Sequence, residues 1–112
     1  MKSDGAQIRS YTYAKDCATA IFTVALHGKS GEAYNIADPN VACSIRELAE
    51  TIAACAGVRL RMELPTGAEA AAFNPMNNSR LDAAKLVALG WQAEYDIQSG
   101  ISETIAQLKG MV

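Results

Sequence analysis

The sequence predicts a small mixed α+β domain, a short mixed sheet packed with about four helices. Three observations predict it. The length of 112 residues allows one ordinary domain. A composition of 50 % apolar and 20 % charged residues excludes a disordered tail or a fibre. Short stretches with an apolar period of two are interleaved with longer ones of period 3.6, without the regular strand–helix alternation of a doubly wound sheet. Size scaling predicts that about two-thirds of the unfolded surface is buried, enough for a modest core.

Residues 1–6 read as a leader or truncated linker and 7–110 as the domain. Gln7 to Tyr13 alternate and carry two tyrosines, the pattern of a strand. Asp16 is placed to cap a helix running to about His27, with Cys17, Ala20, Ile21, Val24 and Ala25 as its buried stripe, widened by Phe22. Gly28 stops that helix, and His27 suits its C-terminus as a solvated or capping residue. Glu32–Ala37 reads as a short strand, broken by Asp38, Pro39 and Asn40. Ser44 and Glu47 form the S-x-x-E capping box of the clearest helix. Ile45, Leu48, Ala49, Ile52, Ala53 and Ala56 share one face of it, and Gly57 ends it. Val58–Leu64 alternates as a strand closed by Pro65 and Gly67. Residues 69–78 mix helix-forming alanines with Asn74, Pro75, Asn77 and Asn78, and read as a loop reaching toward something. Asp82 caps a short helix through Leu89. Gly90 ends it and Trp91 folds back as an anchor. Asp96 caps a last helix, whose apolar face is Ile97, Ile101, Ile105 and Leu108.

Several chemistries are excluded. Lys plus Arg number 10 against 12 for Asp plus Glu, a net charge of -2, and there is no basic stripe or aromatic platform for nucleic acid. No segment has the ~20 apolar residues needed to cross a bilayer. Three cysteines, odd in number and without motif spacing, point to a reducing, cytoplasmic compartment and no metal site. One histidine and no serine elbow give no hydrolase triad. No G-x-G-x-x-G turn cradles a dinucleotide. Tyr11 and Lys15 satisfy Y-x-x-x-K, but that pair works on one helical face and here Tyr11 lies in a strand pattern. No catalytic residue is expected. Arg9 stands in the first strand with a fork of donors suited to phosphate. Arg80 precedes the Asp82 helix start, where backbone N–H groups could also meet an anion. Exposed surface arginines are the plainer reading of both.

Four markers in order carry a resemblance across nearly all of the chain. They are Gln7-Ile8-Arg9-Ser10-Tyr11-Thr12-Tyr13-Ala14-Lys15-Asp16, Gly31-Glu32-Ala33-Tyr34-Asn35-Ile36-Ala37, Ser44-Ile45-Arg46-Glu47-Leu48-Ala49, and Asp82-Ala83-Ala84-Lys85 leading to Leu89-Gly90-Trp91. The set resembles the C-terminal substrate-binding part of NAD-dependent sugar-nucleotide epimerases and dehydratases, the extended short-chain dehydrogenase/reductase family. The resemblance implies the C-terminal lobe without the Rossmann nucleotide-binding domain, so NAD belongs to the parent enzyme and no cofactor to this chain. It implies a nucleotide-diphosphate sugar as ligand, weakly held by the chain alone, with UDP and dTDP sugars the first candidates. Arg9 matches the arginine that reaches the diphosphate, and Gln7 and Tyr11 flank it. Where a second arginine is usual, Asn78 stands near the matching position and Arg80 two residues before Asp82. The partners implied are the missing Rossmann domain or, through the uncovered interdomain surface, a second copy. The alternative is a freestanding interaction or regulatory domain derived from such an enzyme.

Overall fold

The computed structural model describes residues 1–111. The elements in order are β1 (Ile8–Ser10), α1 (Ala14–His27), β2 (Ala42–Ser44), α2 (Ile45–Ala56), α3 (Gly67–Ala71), β3 (Asn78–Ser79), α4 (Ala84–Ala88) and α5 (Ile97–Gly110). The strands form one mixed sheet of order β2-β1-β3, with β1 antiparallel to β2 and parallel to β3. This is the predicted class, a small α+β domain with a short mixed sheet. The described residues contain no extended parallel sheet of the Rossmann type. None of their helices is long and apolar enough to cross a membrane.

Helix ends follow local chemistry. The Ser44 hydroxyl accepts from the Glu47 N–H at 3.1 Å and the Glu47 carboxylate accepts from the Ser44 N–H at 2.7 Å, closing the capping box. Gly57 ends α2 at φ 70°, where a Cβ would be strained. Asp96 caps α5 by accepting from the Ser99 N–H at 2.7 Å. A second capping box, Thr66 with Glu69, starts α3, a short helix that runs into the beginning of the stretch expected to be a loop.

These caps make stability acid-sensitive. Hydrogen bonds to the Ser44 N–H and hydroxyl hold Glu47 below the ordinary glutamate value of 4.5. The Ser99 N–H and hydroxyl do the same for Asp96 against 3.8, and Lys2 with Thr66 for Glu69. Carboxyls depressed on folding stabilise the chain above their unfolded values and lose that contribution as pH falls through the folded ones. The thermal midpoint, followed by circular dichroism, falls on acidification from about pH 5 to about pH 3, and falls less in Glu47→Gln. An identical slope in that variant would refute the assignment.

Four expectations are corrected. Asp16 is no cap: α1 begins earlier, at Ala14, and the carboxylate is buried inside the fold. Only Ala20 of the expected α1 stripe is fully buried, while Ile21 and Phe22 are 58 % and 70 % exposed. Glu32–Ala37 joins no strand. It is held by side chains instead, with Lys85 Nζ donating to the Ala33 carbonyl at 2.9 Å and pairing with Glu32. Val58–Leu64 joins no sheet either, apart from one parallel bridge of Glu63 to Lys2. Alternation alone does not make a strand without a neighbour to pair and a surface to cover. Conversely β2 and β3 form from residues without a strand pattern, because β1 supplies partners on both edges.

Residues 1–6 pack against the rest of the chain. The Glu63 N–H donates to the Met1 carbonyl at 2.8 Å, and the Arg46 guanidinium donates to the Asp4 carbonyl. Gly5, at φ 68°, lies so close to α2 that a Cβ would stand 2.8 Å from the Arg46 backbone nitrogen.

The core is small. Ala20, Leu86 and Trp91 form its buried centre, with Val24, Ile36 and Ala93 against it, joining α1 to α4. Separately, α2 packs along α5. The accessible surface is 7704 Å², against about 5,900 Å² for a folded monomer of this mass. The radius of gyration of 16.5 Å exceeds the ~13 Å expected for a compact domain. Much of the apolar surface that size scaling assigned to a core therefore lies open, notably Ile21, Phe22 and Leu26 on α1.

Candidate binding face around Arg9

Central position in the sheet gives β1 neighbours on both sides. The pleat turns alternate residues to opposite faces, so Gln7, Arg9 and Tyr11 share one side and Ile8 and Ser10 the other. Arg9 is registered on Cys43 of β2 and on Ser79 of β3. Registered residues share a face, so Ser79, Arg9 and Cys43 form a row across the sheet.

The Arg9 side chain is half-buried. One terminal nitrogen donates to the Ile8 carbonyl at 2.8 Å and the other to Gln7 Oε1 at 2.9 Å. Gln7 is itself fixed, its amide donating to the Asn74 carbonyl at 2.6 Å. No carboxylate pairs with Arg9 among the described residues. A guanidinium has five N–H donors, so three remain uncommitted. Tyr11, also half-buried, has its hydroxyl pushed up first by burial and then by the Cys43 thiol, with Arg9 pulling it back. The three groups thus lie within electrostatic reach of one another. Burial, then the Glu47 carboxylate, raises the Cys43 thiol and keeps its proton on.

Gln7 and Tyr11 reach into different hollows. Gln7 lines one of about 350 Å³ with Leu64, Pro65, Phe73 and Asn77. Tyr11 lines an apolar groove of about 310 Å³ with Tyr13, Val41, Ile97 and Ile101. Arg9, on the strand between them, lines neither. Asn78 is registered on Ile8 and shares that residue's side of the sheet. Arg80 follows β3 and is exposed. Of the five anticipated residues, Arg9 and Asn78 stand in the β1–β3 pair on opposite sides of it, Gln7 and Tyr11 border β1, Arg80 follows β3, and no one hollow takes in all of them. Ser79 and Cys43 were missed, since neither β3 nor β2 has a local strand signal.

The remaining polar groups hold structure together. Lys15 pairs with Glu103 of α5 and stands 5.7 Å from the Tyr95 ring centre, an ion pair that accounts for its place in the first turn of α1. Asn35 donates to the Asp82 carbonyl at 2.9 Å, and Asp82 accepts from the Ala84 N–H at 2.9 Å just ahead of α4. The three cysteines are free thiols. Among the described residues no three His, Cys, Asp or Glu side chains cluster to hold a metal ion.

Comparison with known proteins places this face in context. Residues 1–37 match the NAD dependent epimerase/dehydratase family. The chain is 34 % identical over 110 residues to dTDP-glucose 4,6-dehydratase 1 of Escherichia coli K12, covering 90 % of this chain and 29 % of that enzyme. It superposes on dTDP-glucose 4,6-dehydratase from Bacillus anthracis, solved in complex with NAD, with a TM-score of 0.79 and 25 % identity, over 97 % of this chain and 33 % of that one. UDP-glucose 4-epimerase from Thermotoga maritima, solved with UDP-glucose, shares the fold with a TM-score of 0.79 at 20 % identity, over 99 % of this chain and 34 % of that one. The chain thus spans about 29 % of the length of the Escherichia coli enzyme. Through most of its own length it is homologous to dTDP-glucose 4,6-dehydratases and the NAD-dependent epimerase/dehydratase family.

Proposed function

We propose that this chain supplies the nucleotide-diphosphate-sugar half of a binding site in an NAD-dependent epimerase/dehydratase, and does not turn over substrate alone. The observation that carries the reading is the Arg9 guanidinium, half-buried, oriented by Gln7, paired with no carboxylate among the described residues, and with three donors to spend. Such a group meets a diphosphate with charge-assisted hydrogen bonds. Gln7 and Tyr11 flank it. The names of the relatives point to dTDP-glucose and related sugar nucleotides as the ligand class. The described residues do not fit NAD: none of the eight glycines stands in the phosphate-cradling G-x-G-x-x-G turn. In this reading hydride chemistry belongs to a nucleotide-binding domain outside these residues. We place the contact with that domain on the open apolar face of α1, which a second copy covers when the domain is absent.

Titration of the ¹⁵N-labelled chain with dTDP tests the reading. Arg9→Ala weakens binding by roughly tenfold or more, the loss of charge-assisted hydrogen bonds. Arg9→Lys, which keeps the charge and loses the fork, falls between. The second reading, a freestanding interaction domain descended from such an enzyme, draws on the same open α1 face. It requires Arg9→Ala to leave dTDP shifts unchanged, and that outcome would overturn the diphosphate site.

A further inference from the structure

We propose that the Ser79 hydroxyl is the second anion-contacting group on the Arg9 face, donating to a phosphoryl oxygen beside the guanidinium. This rests on the reading of that face as a diphosphate site. Ser79 is registered directly on Arg9 across the parallel β1–β3 pair, so the two side chains leave the same side of the sheet from strands about 4.8 Å apart. The register is clamped at both ends. The Ile8 N–H donates to the Asn77 carbonyl at 2.8 Å, and the Leu81 N–H donates to Ser10 Oγ at 3.0 Å. Ser79 is half-buried, and among the described residues its hydroxyl has no hydrogen-bond partner, although those of Ser44 and Ser99 are both engaged. Asn78 emerges on the Ile8 side, and Arg80 lies beyond the strand. On the opposite flank of Arg9, Cys43 offers only a weak S–H donor. The donors available to a phosphoryl group therefore concentrate on the β1–β3 side.

The test compares Ser79→Val with Ser79→Thr, side chains of nearly equal shape that differ in the hydroxyl and that both suit a strand. The full chain is titrated with dTDP and followed by ¹⁵N chemical shifts, which also report that each variant is folded. Ser79→Val binds roughly three- to tenfold more weakly, the effect of one lost hydrogen bond to a charged group. Ser79→Thr binds like the wild type. Equal affinities for the wild type and both variants, with Arg9→Ala still impaired, would overturn the role of Ser79 and leave the diphosphate reading standing. Equal weakening in both variants would assign the effect to bulk and also overturn the hydroxyl's role. Unchanged binding in Arg9→Ala would remove the site itself and this proposal with it.

Discussion

Replacing Trp91 with alanine destabilises the chain by about 3–5 kcal/mol, the cost of emptying a large aromatic site in a packed core. Trp91 is 3 % exposed and stands against Ala20 and Leu86. Its indole N–H donates to Thr19 Oγ1 at 3.0 Å, so the ring is tied to α1 as well as packed on it. Gly90, at φ 94°, makes the turn that folds the ring back. The effect is large because the core is small and Trp91 is the only aromatic side chain in it among the described residues. Small domains have only about 5–15 kcal/mol in total, so the variant sits near the edge of folding. Its thermal midpoint, read by far-ultraviolet circular dichroism since the chain has a single tryptophan, drops by roughly 10–25 °C. Trp91→Phe keeps much of the apolar area, loses the hydrogen bond, and falls between. A loss below about 1 kcal/mol in Trp91→Ala would show that the cluster is not the centre of stability.

Asp16→Ala is the second large loss, about 2–4 kcal/mol. The carboxylate is 1 % exposed. One oxygen accepts from the Glu94 N–H at 2.9 Å and the other from the Tyr95 N–H at 3.1 Å. Both bonds are charge-assisted, and removing the carboxylate strands two backbone donors. The damage has a direction. These bonds hold the segment before α5 against α1, and they place Tyr95 with its ring 4.6 Å from that of Tyr13. Asp16→Asn has one acceptor oxygen and turns an amide donor toward the other N–H, so it recovers little. Hydrogen exchange in α5 accelerates in both variants, whereas α2 is less affected at its own N-terminal cap. Protection of α5 equal to that of the wild type would refute the tie.

The fate of Asp16 shows why some roles were legible and others were not. A short polar side chain ahead of an apolar stripe is a sound capping signal, and at Ser44 and Asp96 that reasoning holds, whereas at Asp82 it does not, because Ala83 stands at the N-cap of α4. At Asp16 the same residue type serves partners some eighty residues away, which no local pattern contains. Trp91 was legible because an aromatic after a helix-stopping glycine has few places to go but inward. Arg9 stood out through its residue type and its place in β1. Ser79 did not, because its meaning depends wholly on register with β1. The exposed stripe of α1 is a related case. Its spacing marks an apolar face, but spacing does not say whether that face is covered by this chain.

By itself the sequence determined the mixed α+β class, the Ser44–Glu47 capping box and the Asp96 cap, the stops of α1 and α2 at Gly28 and Gly57, and the arginine most suited to an anion. These are matters of hydrogen bonds and backbone angles within a few residues. Tertiary structure alone decided which segments pair into the sheet, which carboxylate is buried, and which side chains stand beside Arg9. Those outcomes come from pairing between distant segments, where hydrogen-bonding energy is realised only once a partner strand is in place.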